Sequence, residues 1–165
     1  MNEAGKKHTH TFAPVYNAES EILILGSFPS VKSRENGFYY GHPQNRFWKV
    51  MAHVFDEEVP QTIEEKKNLL LANKVAVWDV IESCEIVGSS DSSIRNVVVN
   101  DFSEILTKSS VKKIFANGNK AYELYIKYAL KKTGMEAHKL PSTSPANAAY
   151  SLDKLKSIYA TALRE

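Results

Sequence analysis

The feature that most constrains this chain is the run Ile22–Leu25, ILIL, stopped by Gly26 and followed by a loop of glycines and aromatic rings. A short, apolar, β-branched-rich run of this length reads as a buried strand. The turn Gly26-Ser27-Phe28-Pro29-Ser30 leaves its carboxyl end, where ligands collect in open α/β folds. The segment Asn36–Pro43, NGFYYGHP, then feeds a helix that opens near Gln44-Asn45 and carries Phe47, Val50, Met51 and Val54 at helical spacing. A strand, a glycine turn, an aromatic loop and a helix amino terminus in this order can build a slot for a flat, polar ring.

The remaining elements alternate. Thr62 and Glu65 are spaced as a capping box for a helix from Pro60 to Ala72, and Val75–Trp78 is a second strand with Asp79 at its end. Residues 83–96, rich in Ser, Gly, Asp and Asn, read as a loop. A short helix capped by Asp101 follows, then a strand at Lys112–Ala116, a helix from Ala121 to Lys132 stopped by Gly134, and a strand at Glu136–Leu140. The last helix starts near Ser151 and carries Leu152, Leu155, Ile158, Tyr159 and Ala162 on one face. Alternating strands and helices predict an α/β fold with a mostly parallel sheet covered by helices on both faces. The loops 26–44, 117–120 and 141–147 all leave strand carboxyl ends, so a shared sheet edge gathers them into one cleft.

A chain of 165 residues fits one domain, here residues 12–165, able to bury about 70% of its unfolded surface. Residues 1–11 are polar and aperiodic and read as a flexible arm, with His8 and His10 on a frayed terminus. A net charge of +2 neither demands nor excludes nucleic acid. Cys84 is the single cysteine, which excludes an intramolecular disulfide and a cysteine-based metal site. With no membrane-span run and no signal-peptide core, the expectation is a cytoplasmic protein, acting as a monomer without cofactor or metal.

The residues that could carry chemistry each admit a plainer reading. Gly26, Ser27 and Phe28 could present N–H groups and a flat ring to a ligand, or serve only to turn the chain. Tyr40 could stack on a base, a contact worth roughly 1–3 kcal/mol, or cover the core. The Asn45 carbonyl could hold a water in line, or cap the helix. Arg46 and Lys49 could meet phosphate or face solvent, and His42 could bond a substrate or a loop carbonyl. Gly118, Asn119 and Lys120 could hold one phosphate at a helix start. The short side chains of Ser142, Thr143, Ser144, Pro145, Ala146 and Asn147 could press against a sugar-phosphate backbone. Asp79 and Asp91 are the carboxylates nearest the inferred cleft, able to activate water or to bond within their loops.

GSFPS at 26–30, GFYYGHPQNRFWKV at 37–50 and LPSTSPANA at 140–148 resemble the motifs of the uracil-DNA glycosylase superfamily. VWDVIESC at 77–84 and DSSIRN at 91–96 resemble its hypoxanthine-DNA glycosylase branch, and 37–50 is also similar to the mismatch-specific uracil-DNA glycosylases. The resemblance implies a three-layer α/β/α sandwich with a short central sheet of four mostly parallel strands. It implies DNA as partner and cofactor-free hydrolysis of a base–sugar bond, with Tyr40 stacked on the flipped base and Ser142–Asn147 pinching the minor groove. It also exposes departures. Phe28 stands where many relatives place a water-holding Asp or Asn, Ser142 where some have a catalytic His, and Ala146 where a bulky wedge can occur. Asn45 is the replacement candidate and Asp79 the second. The expected reaction is base flipping and release of hypoxanthine from deoxyinosine, with uracil excision or lesion binding without turnover as the alternatives.

Overall fold

Leu23, Ile24 and Leu25 are all completely buried because successive side chains of this strand enter two different cores. Leu23 and Leu25 pack with Phe102, Ile105, Leu124 and Tyr125, whereas Ile24 packs with Met51, Val77, Phe115, Leu155 and Tyr159. Burying each such aliphatic side chain contributes roughly 1.5–3 kcal/mol, so the strand holds two helical layers to one sheet.

The computed structural model describes residues 6–164. The strands are β1 (Lys6–Thr9), β2 (Ile22–Gly26), β3 (Val75–Asp79), β4 (Ile81–Ile86), β5 (Arg95–Val99), β6 (Lys113–Asn117) and β7 (Ala137–Leu140). The helices are α1 (Val31–Asn36), α2 (Phe47–Val54), α3 (Ile63–Ala72), α4 (Ser103–Lys108), α5 (Asn119–Leu124), α6 (Leu130–Thr133) and α7 (Leu152–Leu163). Strands β3, β2, β6 and β7 form, in that order, a wholly parallel sheet. The expected four-stranded α/β fold is thus the observed one. Because β2 lies between β3 and β6, the crossovers leave it in both directions. That reversal opens a crevice at the carboxyl ends, beside Gly26, Asp79 and Asn117. Among the described residues no helix is long and apolar enough to cross a membrane.

Local chemistry explains the helix limits. Thr62 accepts from the Glu65 N–H while the Glu65 carboxylate accepts from the Thr62 N–H, which completes the expected capping box of α3. Asp101 accepts from the Ser103 N–H at the start of α4. The helix expected over 121–132 is interrupted by a π-turn at Tyr125–Ala129, where the Tyr125 hydroxyl reaches Met135 O at 2.7 Å. Gly134, at φ 70°, ends α6 as expected.

Two expectations need correction. Residues 83–96 are not a loop throughout: β4 and β5 form a hairpin, and apart from Ser83 in β4 its tip carries the Gly, Ser and Asp residues. Only Arg95 and Asn96 of β5 fall within 83–96, and both are polar and exposed. Nor are residues 6–10 a loose arm. β1 pairs antiparallel with β4, with His8 opposite Cys84, and the His10 N–H extends the pairing to Glu82 O at 2.7 Å. Residues 1–5 of the expected arm lie outside the described residues.

Replacing Thr62 by Ala removes one side of an exposed capping box and should lower stability by about 1 kcal/mol, read as a lower urea midpoint at unchanged slope. In hydrogen-exchange NMR the His10 amide should exchange much more slowly than in a free peptide; exchange at the free-peptide rate would return this segment to a loose arm.

Candidate active site

Each strand of the central sheet except β7 ends in a polar or glycine residue that faces one cavity of about 120 Å³. Gly26, Asp79 and Asn117 line it from the sheet, and Ser27, Phe28 and Pro29 from the first turn. Tyr40 and Asn45 enter from the aromatic loop, Ser142, Thr143 and Ser144 from the late loop, and Ser89 and Asp91 from the hairpin tip. Tyr40, Asn45 and Ser144 therefore share one hollow, as the convergence of the three loops requires. The hairpin is sewn over it by Ser27 Oγ to Asp91 Oδ1 at 3.0 Å, Val31 N to Ser89 Oγ at 2.9 Å, and Arg34 to Gly88 O at 2.9 Å.

An open groove continues from the cavity and shares Asp91, Asn117, Ser142 and Ser144 with it. Gly118, Asn119 and Lys120 line it on one side, and Ala146 and Asn147 on the other. Gly118, at φ 100°, lies so close to the late loop that a Cβ would stand 3.0 Å from Ser142 Cβ. Only glycine brings these two walls together. Pro145 is exposed on the crest of the late loop. Thr143, expected on the surface of that loop, is completely buried instead. Its hydroxyl donates to Asn45 Oδ1 at 2.9 Å and accepts from Asn117 Nδ2 at 3.0 Å, and its N–H donates to Asn117 Oδ1 at 3.0 Å.

Asn45 both lines the cavity and, one residue before the N-cap Arg46, holds the first amide of α2. Its Oδ1 accepts from the Phe47 N–H at 2.9 Å as well as from Thr143. Both lone pairs of that oxygen are taken, so it is not placed to accept from a water. The amide NH₂ is the part of Asn45 left for a ligand. Arg46, one residue on, is half-buried and turned toward the late loop. Its guanidinium donates to Thr143 O, Ser144 O, Asn147 O and Tyr150 O, the first three at 3.3, 2.8 and 3.0 Å. A single arginine in the helix motif gave no sign that its partners lay a hundred residues downstream. His42 does not line the cavity. Its Nδ1 accepts from the Gln44 N–H at 3.0 Å and shapes the turn before α2.

Tyr40 occupies the left-handed region at φ 53°, a strained position for a bulky residue that costs roughly 1–3 kcal/mol. One face of its ring stacks on Phe47 at 4.0 Å between centroids, so at most the opposite face can meet a base. Its hydroxyl is buried at the cavity floor and has no hydrogen-bond partner among the described residues. Burial, helped by the Asp79 carboxylate and opposed by the neighbouring Asn117 side chain, pushes that phenol well above its ordinary value and keeps it a donor. Asp79 is buried and Asp91 is exposed at the mouth. Crowding by protein pushes the Asp91 carboxyl up, opposed by the Ser27 hydrogen bond and by Lys120.

His10 was missed. Its Nε2 lies 2.8 Å from Asp79 Oδ2, with both side chains out of solvent. The ring sits among Phe12, Phe28 and Tyr39, at 4.6, 6.2 and 5.8 Å between centroids. Phe28 also packs under the Arg34 guanidinium at 5.5 Å. Position alone could have hinted at this role, since His8 and His10 share one strand face, but a polar terminus hid the strand. Among the described residues no cluster of three or more His, Cys, Asp or Glu side chains is arranged to hold a metal ion.

The family description "Uracil DNA glycosylase superfamily" matches residues 13–164. A protein named hypoxanthine DNA glycosylase from Methanosarcina acetivorans is 39% identical over 147 residues, 87% of this chain and 90% of its own. One of the same name from Methanosarcina barkeri is 35% identical over 156 residues, 93% and 96% of the two chains. The solution NMR structure of a candidate uracil DNA glycosylase from Methanosarcina acetivorans superposes with a TM-score of 0.77 at 34% identity, covering 93% of this chain and 97% of that one. A parallel sheet with its switch point at Gly26, a cavity built from three distant loops, and a match across nearly the whole chain agree: this chain belongs to the uracil DNA glycosylase superfamily.

Proposed function

We propose that this protein is a DNA repair glycosylase that takes a deaminated base out of DNA and hydrolyses its N-glycosidic bond, releasing hypoxanthine from deoxyinosine and leaving an abasic site. The observation that carries this reading is the single cavity shared by the first turn, Tyr40, Asn45 and Ser142–Ser144, opening directly into the groove along Ser142–Asn147. The small hollow suits a base and the open groove suits the strand it came from. The names of the Methanosarcina relatives supply the choice of base.

A duplex hides the scissile bond, so the nucleotide must first leave the stack at a cost of a few kcal/mol, less for an imperfectly paired base such as hypoxanthine. The late loop offsets that cost by holding the backbone. Arg46 makes this loop rigid, so Ser142, Ser144, Ala146 and Asn147 meet DNA without losing much freedom on binding. As the bond stretches, the sugar becomes oxocarbenium-like and the purine gathers negative charge. The Asn45 NH₂, fixed by two hydrogen bonds to its own carbonyl, donates to an acceptor on the departing purine and stabilises that charge as a preorganised donor. Asp91 lines both the cavity and the groove, and its carboxylate can hold the attacking water where the two join. Asn45 thus acts on the leaving group, and Asp91 takes the water-holding part first considered for Asn45.

Duplexes containing deoxyinosine should acquire alkali-labile sites, and no cleavage with deoxyinosine, uracil or xanthine would overturn the enzymatic reading. Asn45→Asp keeps both accepting contacts and removes the donor, so it should cut single-turnover cleavage of deoxyinosine on the order of 100-fold with the melting temperature little changed. Activity retained in Asn45→Asp would give the residue back its water-holding role. Gly26→Ala drives a Cβ into Asp79 Oδ1 and within 3.2 Å of Tyr40 Oη. It should destabilise the fold by about 1–3 kcal/mol and depress cleavage together, read by denaturation and single-turnover assay.

A further inference from the structure

The match to the superfamily begins at residue 13, yet the side chain that holds Asp79 comes from His10, before it. Asp79 is a carboxylate with 5% side-chain exposure, and the imidazole that reaches it is itself set among the rings of Phe28 and Tyr39. Among the described residues the one side-chain donor that reaches it is His10 Nε2, on Oδ2. A carboxylate oxygen only accepts, so Nε2 carries the proton. The main chain on either side is pinned as well, with Asn100 Nδ2 on Asp79 O at 2.8 Å and Val80 N on Gly26 O at 2.8 Å. Oδ1 remains, pressed against the Cα of Gly26 at the cavity floor, and beside it lies the unpartnered hydroxyl of Tyr40.

An acceptor and a donor therefore stand together beside Gly26 in the wall of the cavity. A lactam base such as hypoxanthine presents the complement, an N1–H donor next to a C6=O acceptor. Adenine presents the reverse, a lone pair on N1 next to an amino donor, and would turn that lone pair toward the carboxylate. Buried polar groups left unpaired by the wrong base are a strong source of discrimination.

We propose that His10 is a positioning residue that acts through Asp79: by occupying Oδ2 it fixes Oδ1 as the acceptor for the N–H of a lactam base, so the amino-terminal strand supplies part of the specificity of the pocket. This rests on the glycosylase reading above. β1 is the device that delivers it. Its pairing with β4, continued by His10 N to Glu82 O, sets the depth of the imidazole. The Tyr39 hydroxyl, bonded to Ala13 O at 2.9 Å, ties the next stretch to the aromatic loop.

The test compares full-length wild type with His10→Gln, His10→Asn, Asp79→Asn and the double variant His10→Asn/Asp79→Asn, in single-turnover cleavage of a deoxyinosine duplex and in thermal melts. The Gln amide can reach the place of Nε2 and donate to Oδ2, whereas the shorter Asn amide cannot. His10→Gln should keep cleavage within a few-fold of wild type, and His10→Asn should lose on the order of 100-fold at saturating enzyme, the scale of a misplaced reacting geometry. In the Asp79→Asn background the same His10→Asn change should cost little more, because the group it positions is gone. Equal rates for Gln, Asn and wild type at position 10 would overturn the proposal, as would losses that multiply fully in the double variant. Should His10→Asn fail to fold, the decision falls to His10→Gln, whose slow cleavage with an unchanged melt would refute a positioning role. A wild type that cleaves no deoxyinosine would sink the glycosylase reading itself, an outcome separate from these.

Discussion

The cavity depends on one guanidinium. Arg46, between the aromatic loop and α2, donates to four carbonyls of the late loop, and its own N–H adds a bond to Thr143 O at 3.1 Å. A planar fork with five donors suits this task; an ammonium could not spread across four acceptors held in such different directions. The loop from Pro141 to Tyr150 has no regular structure to satisfy its own carbonyls. Buried carbonyls without donors would be costly, so Arg46 replaces the ladder that a strand or helix would have provided. Tyr159 from α7 closes the other end with a bond to Pro141 O at 2.7 Å.

The loop so fixed then fixes Asn45. Thr143, driven inside by the Arg46 contacts, meets both Asn117 at the end of β6 and Asn45 at the start of α2. Three segments far apart in sequence therefore share one set of hydrogen bonds, and the orientation of the Asn45 amide is decided by it. Helix capping and ligand binding, competing readings of Asn45 in the sequence, are the two ends of the same side chain. The carbonyl satisfies the helix, and this turns the NH₂ to the pocket.

The sheet and its main helices were legible because burial writes itself into apolar spacing. Ile22–Leu25 and Val75–Trp78 could hardly be anything but interior strands, and Leu155 and Tyr159 follow the helical period of a face against the core. What stayed hidden was structure held by polar or exposed residues. β1 is Lys-Lys-His-Thr with no apolar residue, and β5 opens on Arg-Asn and buries none of its residues fully, its three valines notwithstanding. For the site, Tyr40, Asn45, Asp79 and the late loop could be placed by their position after strands. The engagement of Arg46, the burial of Thr143 and the approach of His10 to Asp79 could not, since each joins segments between 69 and 104 residues apart and has no local signature.

Phe28 in the first turn also finds its reason in the fold. At that position a carboxylate would stand on the same cavity floor as Asp79, and like charges at close range cannot both stay ionised cheaply. The ring instead contributes to the apolar wall around His10 and lies under Arg34, which in turn bonds Pro29 O at 3.2 Å and Gly88 O. The first turn, the hairpin tip and the amino-terminal strand are thereby locked to one another through an aromatic contact. A pocket that draws its acidic groups from β3 and from the hairpin can leave this turn apolar, and the apolar turn keeps water away from the buried pair behind it.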